Sequence, residues 1–149
     1  MIIEVDQSIK IEDTSGHTVL ALADGETFAV IVPAAVKREC LELLRRQGSQ
    51  ARVNVVRVFS AALFLLLESR LERADRIVID PEYAGHEDTI KGMLLSWARA
   101  RRLDCHPGRI VFANVGKHSP AHRKAARVRN GQERTNRVLT TRQLLRLLL

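Results

Sequence analysis

The chain has 149 residues, 46% of them hydrophobic, and its 24 basic and 17 acidic residues give a formal charge of +7. That length suits one domain with its own core, and the apolar fraction excludes a disordered chain. Cys40 and Cys105 are the only cysteines, which excludes a disulfide scaffold and a cysteine-rich zinc site and fits free thiols.

In chain order, residues 2–12 alternate loosely between apolar and polar and predict a first strand. Ser15 and Gly16 make a turn, His17 to Ala23 a second strand, Asp24-Gly25 a hairpin signal, and Thr27 to Val32 a third strand. Three strands joined by tight turns imply an antiparallel meander. Pro33 suits the start of a helix whose apolar face is Val36, Cys40, Leu43 and Leu44, ended by Gly48. Residues 51–58 fit either a short strand or the lead-in to a buried helix at Phe59 to Leu71.

The stretch Arg76 to Arg102 organises the rest. Ile77, Val78 and Ile79 read as a buried strand that ends on Asp80. Pro81 and Gly85 break it. A helix follows at about 87–102, with Ile90, Met93, Leu94 and Trp97 on one face, acids in its first turn and Arg99, Arg101 and Arg102 in its last. Pro107-Gly108 turns into a buried strand at Arg109 to Val115. After a loop at Gly116 to Ser119, Pro120 opens a short basic helix to about Arg129, stopped by Asn130-Gly131. The tail, Gln132 to Leu149, is basic and then leucine-rich. The order βββ, α, α, β, α, β, α predicts an α/β domain over residues 1–130, a mixed five-stranded sheet with helices on its faces, and a C-terminal helical extension over 131–149.

Ten of the basic residues and one acid, Glu133, lie beyond Gly108, so the segment carries about +9 on a near-neutral body. Such a balance favours anionic partners, nucleic acid first, whether RNA, DNA or a hybrid, although basic residues are also common on plain solvated surfaces. The start lacks the basic and apolar regions of a signal peptide, and the longest apolar run, Ala61 to Leu67, is too short to span a membrane. The expectation is a soluble, cytoplasmic protein with no membrane partner.

This order of elements resembles the ribonuclease H-like superfamily, which includes ribonuclease H and Holliday-junction resolvases. The local likeness is best at Arg73 to Leu103, where a strand ends on Asp80, an aromatic, Tyr83, follows three residues later, and a helix containing Trp97 ends in basic residues. Asp6-Gln7-Ser8 is similar to the family's Asp-x-Ser, and Val115-Gly116-Lys117-His118 to its Val-x-Gly-His loop, although here the His follows a Lys. The resemblance implies Mg²⁺- or Mn²⁺-dependent phosphodiester hydrolysis, with metal held by Asp6 and Asp80. Two departures stand out. No acid lies between Val115 and Gly131, so His118 or His122 takes the place of the family's last acid. The early part of helix 59–71 also has no acid; Glu39, on the preceding helix, is the best stand-in as third metal ligand, ahead of Glu42, Glu68 and Glu82.

Two-metal hydrolysis needs carboxylates that hold two cations about 3.5–4 Å apart, and hard oxygen ligands suit Mg²⁺. The plain alternative for Asp6 and Asp80 is a pair of strand-end acids in solvent. His118 and His122 are four residues apart, a spacing that shares one helix face. Arg123, Lys124, Arg127 and Arg129, with Lys117 before them, are the expected contacts to a phosphate backbone, and Arg99, Arg101 and Arg102 a second row. Aromatics, at 4%, are too few for base stacking to dominate recognition. Two rival functions remain at this level: a non-catalytic nucleic-acid-binding module on the same fold, and a subunit that forms homo-oligomers through its leucine-rich tail.

Overall fold

Alternating apolar residues set strand β1 at Ile2–Ser8, and β2 (Thr18–Ala23) and β3 (Thr27–Val32) complete an antiparallel meander in a computed structural model that describes residues 1–149. The first strand ends at Ser8, before the expected residue 12. Ile9 has φ 63°, a left-handed conformation that breaks the strand and lets Ile11 turn into the core. Gly25 at φ 104° makes the tight turn between β2 and β3.

Pro33 precedes helix α1 (Ala34–Arg46), which Gly48 terminates at φ 88°. Residues 51–58 belong to the next helix, α2 (Ala51–Leu67). Their β-branched residues have strand propensity, but Val55, Val56 and Val58 are buried, and such packing outweighs local preference. Thirteen of the 17 residues of α2 are buried, which makes it the central helix of the core. Each fully buried Leu or Phe there contributes about 1.5–3 kcal/mol.

Strand β4 (Arg76–Ile79), helix α3 (Glu87–Ala100), strand β5 (Ile110–Phe112) and helix α4 (Pro120–Arg129) follow. The tail then adds a short strand, β6 (Arg137–Val138), and helix α5 (Thr141–Leu148). The sheet therefore has six strands, not five, in the order β5-β4-β1-β2-β3-β6. β4 and β5 run parallel to β1, and β6 runs parallel to β3. A two-residue strand lies below what local periodicity can signal; Thr135 and Asn136 dock it by hydrogen bonds to Ala29.

The central strand β2 is buried on both faces. Leu20 and Leu22 face the large cluster built by α2 and its neighbours, while Val19 and Ala21 face Ala125 and Val128 of α4. α4 thus covers the face opposite α2. Leu144 and Leu148 of α5 are buried in the large cluster, and Trp97 Nε1 donates to Leu147 O at 3.2 Å. The leucine-rich tail thus packs on the body of the chain through these two residues, while Leu145 and Leu147 are partly buried and Leu149 is exposed. No helix is long and apolar enough to cross a membrane.

Candidate metal and phosphate site

Parallel pairing of β1 and β4 places the first acid beside the second. Val5 lies opposite Ile79, so Asp6 and Asp80 leave neighbouring strands together at their C-terminal ends. Asp80 N donates to Val5 O at 3.1 Å, which extends the pairing by one residue. Crevices beyond the carboxyl ends of parallel strands are the usual ligand sites of α/β sheets.

Asp6 is buried, with 6% of its surface exposed, not a solvated strand-end acid. Its Oδ1 accepts from Gln7 N at 2.8 Å, and its Oδ2 lies 2.6 Å from His122 Nδ1. Asp80 Oδ1 accepts from Val115 N at 3.0 Å. Glu82 completes the cluster: one carboxylate oxygen each from Asp6, Asp80 and Glu82 lie within 4.8 Å of one another. Burial first, then the hydrogen bond and charge of Asp80 and the charge of Asp6, push the Glu82 carboxyl up to about 7, against a smaller opposing pull from Lys10.

Helix α4 is held so that His122 reaches Asp6. Ser119 caps the helix by accepting from Ala121 N, and its hydroxyl donates to Glu4 of β1 at 3.0 Å. At the other end Arg129 donates to Ser8 of β1 at 2.9 Å. Ala121 and Ala125 are small and buried against the sheet, which brings the helix backbone close to β1. The resulting cavity, about 230 Å³, also receives Gln7, Asn114 and Lys117. A larger cavity of about 470 Å³ between α1 and α2 shares none of these residues; its charges are largely self-paired, as in Glu42 with Arg45.

Of the residues expected from sequence, Asp6, Asp80, His122 and Lys117 meet here. Glu39 does not. It lies on the exposed side of α1, where Thr141 Oγ1 donates to its carboxylate at 3.0 Å. Glu82 is the third acid instead, two residues beyond Asp80, on a loop that folds back over the strand end. His118 is exposed in the loop before α4 and does not line the cavity.

The basic residues divide in a similar way. Arg123 is exposed on α4, and Arg99 and Arg102 are exposed at the end of α3. Lys124 is buried and ion-paired with Glu133, which Arg127 shares, so neither is a free phosphate contact. Arg129 is held by Ser8, and Arg101 pairs with Glu68 and lies over the Phe64 ring at 5.4 Å. Tyr83 is a core residue, packed on Phe59 with ring centroids 4.7 Å apart. Gln7 and Asn114 carried no signal in the sequence beyond their position next to a strand end.

Three carboxylates converge in a set that could hold a metal ion, and burial, with Asp80 and Asp6 beside it, pushes one of them, Glu82, up to about 7. No family model, curated protein or solved structure matches the chain. Fold and site together define an α/β protein whose mixed sheet carries an acid cluster able to hold a metal ion.

Proposed function

We propose that the chain is a Mg²⁺- or Mn²⁺-dependent nuclease of ribonuclease H-like architecture, acting on structured or hybrid nucleic acid. The observation that carries this reading is the convergence of Asp6, Asp80 and Glu82 within 4.8 Å, with His122 bonded to Asp6. The sheet supports it as well. β1 belongs to the antiparallel meander on one side and pairs in parallel with β4 on the other, the order in which that superfamily places its first two acids side by side.

A bound divalent cation would polarise a phosphodiester and lower the pKa of a coordinated water. Asp6, Asp80 and Glu82 would hold it. His122 orients the Asp6 carboxylate through Nδ1, and its position suits proton transfer at the mouth of the cavity. Lys117, exposed at the same cavity, offers a cation to the phosphate. Asp6→Asn and Asp80→Asn should each abolish metal-dependent cleavage and weaken Mn²⁺ binding while the circular dichroism spectrum persists. Cleavage that survives both substitutions refutes the reading.

A non-catalytic nucleic-acid-binding module is the second reading. It is favoured by the absence of any acid on α4, the helix that carries the superfamily's last one. It predicts salt-sensitive binding that EDTA leaves unchanged.

A further inference from the structure

Beside the acid cavity lies a hydrogen-bond donor with no partner inside the protein. Gln7 lines the cavity next to Asp6, and its Nε2 is buried without a partner. Its amide orientation is set by Tyr83. Ile11 N donates to the Tyr83 hydroxyl at 3.1 Å, which leaves the hydroxyl proton to go to Gln7 Oε1, also at 3.1 Å. The oxygen end of the amide is therefore taken, and the nitrogen end is left over. Tyr83 is itself immobilised. It is 1% exposed, packed on Phe59, with the Arg52 guanidinium 5.3 Å and the Lys10 ammonium 5.7 Å from its ring centroid.

The nearby carboxylates do not use this donor. Asp6 takes Gln7 N and His122, and Asp80 takes Val115 N. Buried donors without partners are rare in folded proteins, and those that persist commonly await a ligand or water. A site that binds a cation through acids still needs donors for an anionic substrate. A neutral amide supplies them without adding a charge that competes with the cation.

We propose that Gln7 is a substrate-binding residue whose Nε2 donates to a non-bridging oxygen of the phosphodiester, an assignment that rests on the nuclease reading of the cavity. Tyr83 is then a positioning residue that holds the amide with its N–H groups free.

The test compares wild type with Gln7→Glu, which keeps an acceptor for Tyr83 but loses the donor, and with Gln7→Leu, which loses both. Three quantities are measured: Mn²⁺ affinity of the protein alone, equilibrium binding of a short RNA–DNA hybrid and of a four-way DNA junction in Ca²⁺, and steady-state cleavage in Mg²⁺. Both variants should bind the better of the two nucleic acids about tenfold to a hundredfold more weakly, the scale of one hydrogen bond to a charged group. Gln7→Leu should keep wild-type Mn²⁺ affinity. In cleavage the loss should appear in KM, with kcat little changed, as expected for an interaction already made in the bound substrate. Wild-type nucleic-acid affinity in both variants overturns the assignment and shows that the donor serves only water. Wild type that binds Mn²⁺ and nucleic acid but does not cleave overturns the nuclease reading alone; weakened binding in the variants then still supports Gln7. Wild type that binds neither nucleic acid overturns both.

Discussion

Glu82→Gln should remove a pH-dependent instability built into the acid cluster. The folded protein holds the Glu82 carboxyl at about 7, against 4.5 for the free group, chiefly through burial and the neighbouring Asp80. Between those values the folded chain keeps a proton that the unfolded chain releases. The unfolded state therefore binds fewer protons, and stability falls as pH rises through that window and levels off above it. A shift of that size has a ceiling of about 3.4 kcal/mol at 1.36 kcal/mol per pH unit. Glu82 is only part-buried, and solvent screening reduces the expected effect to about 1–2 kcal/mol. The assay is urea denaturation of wild type and Glu82→Gln, with EDTA present, at intervals from about pH 5 to pH 8. The stability difference between the two proteins should grow in favour of the variant by that amount as pH rises. Mn²⁺ at the upper pH should recover the loss in wild type and do less for the variant, because a bound cation relieves the same repulsion. A stability difference that stays constant over the range would refute the claim that the three acids share one confined site.

Two further outcomes test the framework around the site. Lys37 is fully buried on α1, and its Nζ donates to Asp13 O at 2.6 Å and Thr18 Oγ1 at 3.0 Å, tying the β1–β2 loop to the helix. Lys37→Met keeps the volume but leaves those acceptors unmet, and should lower stability in urea by about 1–3 kcal/mol; an unchanged midpoint would show that water replaces the ammonium. Removing residues 140–149 strips α5 and its buried Leu144 and Leu148, and should cost about 3–6 kcal/mol by thermal unfolding. A truncated chain as stable as the full one would show that α5 contributes no core.

Local rules were sufficient wherever neighbours in sequence decide conformation. The Asp24-Gly25 hairpin, the apolar run ending on Asp80, and the helix opened at Pro120 are set by residues within a few positions of one another. So are the antiparallel meander of β1 to β3 and the α/β class. The juxtaposition of Asp6 and Asp80 was expected from the resemblance, and the parallel register of Val5 with Ile79 realises it across more than seventy residues.

Tertiary structure decided what depends on distant partners. Residues 51–58 became helix because Val55, Val56 and Val58 are buried in the main core cluster, not because of their own preference. Glu82 displaced Glu39 because the loop after β4 folds back over the strand end, while the exposed side of α1 turns Glu39 toward Thr141. Lys124 and Arg127 looked like free phosphate contacts until Glu133 met them from beyond the turn at Gly131. Composition and periodicity determine which elements this chain forms and which faces they bury. Which charges end up paired, and which acids converge on one point, follows from non-local packing that no single segment of the sequence contains.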